Sequence, residues 1–554
     1  MRQVNRGLRA AAWPLAVLGM VSLSACGGGG GLFGPEDRKV LSLSEVSNSC
    51  DIAPGERCQG VGLVVRNDQQ DRPGWTATPS NGLTIVQSAD YQKIADNTWR
   101  MSFAVTPDLP AGTYTGTITL SPLNLFSIKY NDLPASLSYK VTVGAPQGTL
   151  SALAPLAGAG DWEGSNGNAA HTGYVPLTFD AARFTRRWSW QHTAQEVGEH
   201  MSPVVAANGL VYFSLGKSVE DKDNKNHYLG INTLTALSEQ DASVRWTLSQ
   251  TMTGGLGTPA VSGNRLVLTD GKYLHAFDAD NGVKLAQAAY PITTGVLAAG
   301  NAQMAPTMFD GNVYMGGYND VVSASASTAQ AAWSVSLGLP LLGNVDDWTP
   351  AVNASSVVTN TAGTLSAYQR GSGERQFSVA VPGLVVGGID KSGLHQAPVL
   401  VDEQTVLLLN QRRIAGKWTD NSLSVVDLGA RAVRWTVPGQ FTTQPVVARG
   451  VIYVGNQATA ALEARSVTDG SVLWSWPLAE GKGSYFGGDV IATNTLLFVA
   501  GDKATYAIDL ASHKVVWRFG MTGGLSLSRN GVLYIRSAQD GARSTSWLTA
   551  INLQ

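Results

Sequence analysis

The sequence predicts an all-β protein, a small immunoglobulin-like β-sandwich followed by an eight-bladed β-propeller, and three observations predict it. A strand, tight turn and second strand recur as one phrase, in "SPVVAANGLVYFS", "GTPAVSGNRLVLTD", "APTMFDGNVYMGG", "TPAVNASSVVTNT", "APVLVDEQTVLLLN" and "QPVVARGVIYVGN". Each unit runs on through a third strand to a slot occupied by Trp246, Ala286, Trp333, Phe377, Trp435, Trp474 or Trp517, at successive spacings of 40, 47, 44, 58, 39 and 43 residues. Four short strands with their turns need about 40 residues, the period of a propeller blade. The composition agrees: 554 residues exceed one ordinary core, while 62 glycines and only 14% charged residues favour turns over long charged helices.

The first 25 residues read as an address. Arg2, Arg6 and Arg9 precede the apolar stretch "AAAWPLAVLGMVSL", which is short for a membrane span. It ends in "LSAC", which resembles the lipobox of bacterial lipoproteins and implies lipidation at Cys26. A plain secretory signal with a chance cysteine is the alternative. Gly27 at the second mature position resembles lipoproteins sorted to the outer membrane of a Gram-negative host, so the expectation is a chain held by its N-terminal lipid, facing the periplasm or the cell surface. Residues 26–39 form a glycine-rich tether.

Residues 40–145 carry the sandwich. "TWRMSFAV" alternates Trp99, Met101, Phe103 and Val105 on one face, and "SLSYKVTV" does so with Leu137, Tyr139, Val141 and Val143. About seven such strands in a hundred residues suit an immunoglobulin-type module, whose closing hairpin "LPAGTYTGTITL" resembles. Cys50 and Cys58 flank a Pro-Gly turn and, in an oxidising compartment, point to a disulfide; a zinc site lacks further ligands nearby. Residues 146–160 are a linker rich in Gly, Pro and Ala.

Residues 161–554 carry the propeller. Seven slots leave a C-terminal tail of 37 residues, enough for three strands of an eighth blade and short of the fourth. "FTRRWSWQ" stands alone ahead of the first unit, and its Trp188 has the grammar of the missing slot. The expectation is that this strand pairs beside "SWLTAINLQ" and closes the ring, removing exposed sheet edges. The long spacing contains "NQRRIAGKWTDN", read as an extended hairpin loop.

"ARSVTDGSVLW" and "AIDLASHKVVW" resemble the tryptophan-docking motif of PQQ-type, quinoprotein alcohol dehydrogenase-like eight-bladed propellers, and "DWEGSNGNAAHTGYVP" resembles their entry segment. That superfamily holds dehydrogenases as well as scaffolds, so the resemblance implies a fold and leaves chemistry open. Trp188, Trp246, Trp333, Phe377, Trp435, Trp474 and Trp517 read as blade-docking residues, because one per blade on a last strand is packing rather than a ligand cage.

Chemical motifs are sparse. "DKDNKNHYLG" places Lys225 where a calcium loop needs a ligand, and "LGKS" lacks the first glycine of a phosphate loop. Neither G-x-S-x-G nor H-E-x-x-H occurs, and no Lys/Arg run interleaved with aromatics suggests nucleic acid, the formal charge being -2. No catalytic residue and no metal ligand is assigned. His171 reads as a residue that fixes the entry segment by hydrogen bonds, with a catalytic role as the alternative; His200 and His395, just ahead of blade-opening strands, are candidate funnel residues. The chain also resembles the BamB family, propellers of the outer-membrane β-barrel assembly machinery. In that family an acidic phrase opens one blade and grips a partner; here "NVDDWTP" makes Asp346, Asp347 and Trp348 the candidate partner surface, with Val345 in place of the first acid. The reading is a non-catalytic binding propeller with an envelope or outer-membrane protein partner and no cofactor. The alternative is a PQQ-dependent periplasmic dehydrogenase, with calcium, or a propeller binding a small ligand.

Overall fold

The computed structural model describes residues 150–554 except 194–199, 221–227, 253–256, 270–272, 290–305, 317–319, 337–348, 362–363, 382–396, 411–412, 415–416, 419–420, 478–485, 487–488, 502–503, 520 and 540–544; before Leu150 it describes eight strands by their backbone. These eight form two four-stranded sheets. One joins Leu41–Val46, Val61–Asn67, Thr98–Val105 and Ile85–Ala95; the other joins Asp51–Ile52, Ala135–Val143, Gly112–Pro122 and Trp75–Pro79. The immunoglobulin-like packing expected of them rests on side chains outside the described residues, as do Cys26, Cys50 and Cys58.

Eight antiparallel sheets follow, the eight-bladed propeller. Blades 1 to 7 occupy residues 205–252, 260–289, 307–336, 351–380, 399–439, 446–477 and 490–519. Blade 1 gains a short extra piece, His200–Met201. In blade 5 the excursion between the second and third strands is itself a small hairpin, Arg413–Ile414 with Lys417–Trp418, which accounts for the long spacing. Blade 8 takes three strands from residues 524–552, and its outermost strand is Thr185–Thr193, with Trp188 opposite Ala550. The closing strand thus lies where the sequence predicted it.

One local device repeats in every blade. The ladder between third and fourth strands slips just before the slot, so one residue is left over: Arg187, Arg245, Leu285, Ala332, Gln376, Arg434, Leu473 and Val516. Such a bulge sharpens twist and turns the slot side chain out of its own sheet. The ring then meets the turn ahead of the fourth strand in the next blade. Indole Nε1 donates to Glu239 O from Trp188 at 2.8 Å, to Ala279 O from Trp246 at 3.0 Å, to Arg370 O from Trp333 at 3.0 Å and to Val467 O from Trp435 at 2.9 Å. Phe377 takes the Arg431 guanidinium over its ring at 5.3 Å, and Trp474 stacks on His513 at 4.3 Å. Trp517 meets Phe184 edge-on at 5.5 Å. Ala286 has no ring, and small residues, Ala326 and Ala329, fill that junction.

The turn must leave room for the ring. At Gly470 a Cβ would stand 2.9 Å from Trp435, and the backbone is left-handed at φ +74°, so both space and conformation require glycine there. Trp435→Phe keeps most of the packing and loses the bond to Val467 O, and is expected to cost about 1 kcal/mol, against about 3 kcal/mol for Trp435→Ala. Gly470→Ala is expected to destabilise by about 1 kcal/mol or more from its backbone conformation alone. Chemical denaturation of the three variants beside the parent measures all three values.

Candidate functional site: the channel, its strap and its seam

Residues 161–177 cross the channel as a strap, at the end where the first and second strands of each blade turn. Inner strands of a propeller have one unpaired edge facing the axis, and buried N–H groups need acceptors. The strap supplies them. Trp162 exchanges two bonds with Ala206 in blade 1, and Glu163 O accepts from Val261 in blade 2. Ala169 O, Ala170 O, Thr172 O and Gly173 O accept from Val352, Leu400, Val447 and Ala492, in blades 4, 5, 6 and 7, all at 2.8–2.9 Å. Blade 8 is reached by Leu156 N to Arg529 O at 2.9 Å and by Asp161 to Arg529 at 3.6 Å.

Blade 3 is reached through His171. This residue is left-handed at φ 60° and its side chain is buried. Nδ1 lies 3.1 Å from Pro398 O in the approach to blade 5, and Nε2 lies 3.2 Å from Thr307 Oγ1 in blade 3, which donates to Pro350 O of blade 4 at 2.7 Å. A carbonyl only accepts, so the ring proton sits on Nδ1 and Nε2 is the acceptor. Burial lowers the His171 pKa to about 4, against the opposing bond to Pro398 O. A neutral, doubly hydrogen-bonded imidazole here ties three blades together.

The seam between blades 8 and 1 carries a second buried network. Glu239 accepts from Tyr534 Oη at 2.6 Å and from Asn530 Nδ2, and burial raises its pKa. Arg187, the left-over residue of the closing strand, donates Nε to Glu239 O at 3.2 Å and Gln240 O at 2.9 Å, Nη1 to Asn552 Oδ1 at 2.9 Å and Nη2 to Ser151 O at 2.7 Å. One side chain thereby joins the linker, the closing strand, blade 1 and the C-terminus. Burial also raises Asp161 and Glu163, with the Arg529 charge pulling Asp161 back and a hydrogen bond from Ser262 restraining Glu163.

At the opposite, loop-bearing end, Arg536 stands on the second strand of blade 8, opposite Gly524 of the innermost strand. A Cβ on Gly524 would come within 3.0 Å of Nη2 and 3.1 Å of Nε, so the guanidinium runs inward across the bare glycine. Gly523 is closer still: a Cβ there would lie 1.8 Å from Arg536 O. Nη1 donates to Met201 O of blade 1 at 2.8 Å. Burial lowers the Arg536 pKa, and the Asp489 carboxylate, which accepts from Leu525 N at 3.0 Å, counters that effect. Sequence reasoning missed Arg536, Glu239 and Arg187; the Gly-Gly pair ahead of the last hairpin was the one local signal.

Of the residues singled out from sequence, His171 lies at the centre of the strap and the docking side chains lie around the ring. His200 is described by backbone only, pairing with Gly216. His395, Asp346, Asp347 and Trp348 lie outside the described residues. Among the described residues no group of three His, Cys, Asp or Glu is placed to hold a metal ion, and no helix is long and apolar enough to cross a membrane.

Comparison with known proteins places residues 146–346 and 320–550 in matches to the family described as outer membrane protein assembly factor BamB. Tetrathionate hydrolase of Acidithiobacillus ferrooxidans is 21% identical over 466 residues, covering 74% of this chain and 90% of that protein. Among solved structures, BamB from Moraxella catarrhalis aligns at TM-score 0.44 and 15% identity over 66% of this chain and 99% of its own. A europium-containing methanol dehydrogenase aligns at 0.47 and 11%, over 71% and 98%.

His171 gives the strap a pH dependence of definite sign. Its folded pKa lies below the unfolded value near 6.5, so its contribution is complete above about pH 6.5 and is lost as pH falls toward about 4, for a total of about 3 kcal/mol. Glu239 and Glu163, raised by burial, act in the opposite sense, their contributions fading as pH rises through their folded pKa values. Unfolding free energies at pH 7, 5.5 and 4 are expected to fall with acid in the parent and to lose most of that slope in His171→Asn. An unchanged slope in the variant refutes the assignment.

Proposed function

The chain belongs to the family of outer membrane protein assembly factor BamB, and on that premise we propose that it is a non-catalytic binding propeller of the cell envelope, held to the outer membrane by a lipid on Cys26 and working beside an envelope or outer-membrane protein partner. One observation carries this reading: a single strap hydrogen-bonds to the inner strands around the ring, while side chains lock the blade junctions. A ring so cross-tied presents loops from several blades at fixed spacing, and little ordering entropy is lost when a partner binds them. The strap uses up the turn end of the channel, so the loop end is the face offered to a partner. "NVDDWTP", with Asp346, Asp347 and Trp348, lies in the sequence between blades 3 and 4 and is the candidate partner surface.

The similarity to a tetrathionate hydrolase along 90% of that protein favours a second reading, turnover of a small substrate in the funnel. Two experiments separate them. Affinity capture from detergent-solubilised membranes is expected to retrieve a discrete envelope protein, reduced at least about tenfold by Asp347→Ala with Trp348→Ala. Purified full-length protein, alone and with added quinone and calcium, is expected to turn over neither tetrathionate nor a dye-linked alcohol. Turnover of either, with no partner retained, overturns the scaffold reading in favour of an enzyme.

A further inference from the structure

A second-strand side chain in a propeller ordinarily ends between two blades. Arg536 does not, because the residue beside it on the innermost strand is Gly524 and the guanidinium passes over it toward the axis, reaching Met201 O of the neighbouring blade. A guanidinium has five N–H donors in a planar fork. One described bond, to Met201 O, uses one of them. Among the described residues the ion pairs are Arg370–Asp310, Arg434–Asp427, Arg465–Glu463 and Arg529–Asp161, so Arg536 belongs to none. The contrast with Arg187 is direct: its buried guanidinium makes four bonds and is held as structure. Arg536 is half-buried at the loop-bearing end of the channel, and the described residues engage one of its five donors.

We infer that Arg536, steadied by Met201 O and given passage by Gly524, is the receptor for a small oxyanion, a sulfo or carboxyl group presenting two oxygens in one plane, at the loop end of the channel. A fork of this kind binds two oxygens with parallel bonds, and partial burial makes each charge-assisted bond stronger than at the surface. The Asp489 carboxylate acts on the guanidinium through its charge, and it spends an oxygen on Leu525 N. It therefore orients the site while disfavouring ligands of high negative charge. This inference goes beyond the scaffold reading and does not depend on it: partner capture tests one, small-anion binding the other.

Equilibrium dialysis of the full-length protein with labelled sulfate, and separately with labelled acetate, at constant ionic strength set with chloride, is the test. At least one of the two is expected to saturate at one per chain, and the two arms distinguish a sulfo from a carboxyl ligand. Arg536→Gln is expected to weaken that binding about tenfold or more. Gly524→Ala keeps the charge but crowds the fork, and is expected to weaken binding about threefold. The second variant decides the matter if Arg536→Gln fails to fold. Saturation by neither anion, or binding unchanged in a folded variant, overturns the assignment.

Discussion

The structure depends on one seam. Seven blades are continuous stretches of chain, and each hands its slot side chain to the next; the eighth exists only because Thr185–Thr193 pairs with the C-terminal strand. Without that pairing, two sheet edges and two large junction faces would be open to water. The seam is correspondingly over-determined. Trp188 docks like its counterparts, but the residue left over in the bulge, which elsewhere is often exposed, as Leu285, Leu473 and Val516 are, is here the buried Arg187. Its guanidinium gathers carbonyls and an amide from the linker, blade 1 and the C-terminus, while Glu239 in the same turn receives Tyr534 and Asn530 from blade 8. Burying charged groups is costly, and these remain only because nearly every donor and acceptor finds a partner.

The strap extends the same logic from one junction to all eight. Closure by strand pairing fixes the circumference, and hydrogen bonds from a segment lying across the axis fix the inner diameter. Because the strap's bonds are mostly backbone bonds, they set the path of the segment and dictate few of its side chains; among the special requirements are a left-handed imidazole at His171 and bare glycines at Gly167 and Gly173, where a Cβ would stand 2.8 Å from Trp162 and 2.6 Å from Val446. One end of the channel is therefore committed to architecture. The other end carries the connections from each blade to the next and the inward-reaching Arg536.

Much of this was legible before any coordinates. The blade period, the slot residues, the excursion in blade 5 and the closing strand at Trp188 all follow from patterns local to a few dozen residues, because strand alternation, turn residues and bulky docking side chains recur with each blade. Even the role of His171 was read from its place in the entry segment. Candidate recognition residues were less accessible to that reasoning, since a loop residue such as His395 or Trp348 carries no period to argue from.

The sequence by itself determined how many blades there are, where each begins, and that the two ends of the propeller must meet in one sheet, since every blade repeats the same requirements of its own neighbours in the chain. Only the tertiary structure decided which polar groups became locks and which stayed available. Arg187 meets Glu239 across 52 positions, and His171 meets Thr307 across 136 and Pro398 across 227. Arg187 and Arg536 look alike in sequence, but among the described residues the first makes four bonds and the second one. The difference arises from ring closure, which brings distant acceptors to the first and leaves a glycine window beside the second.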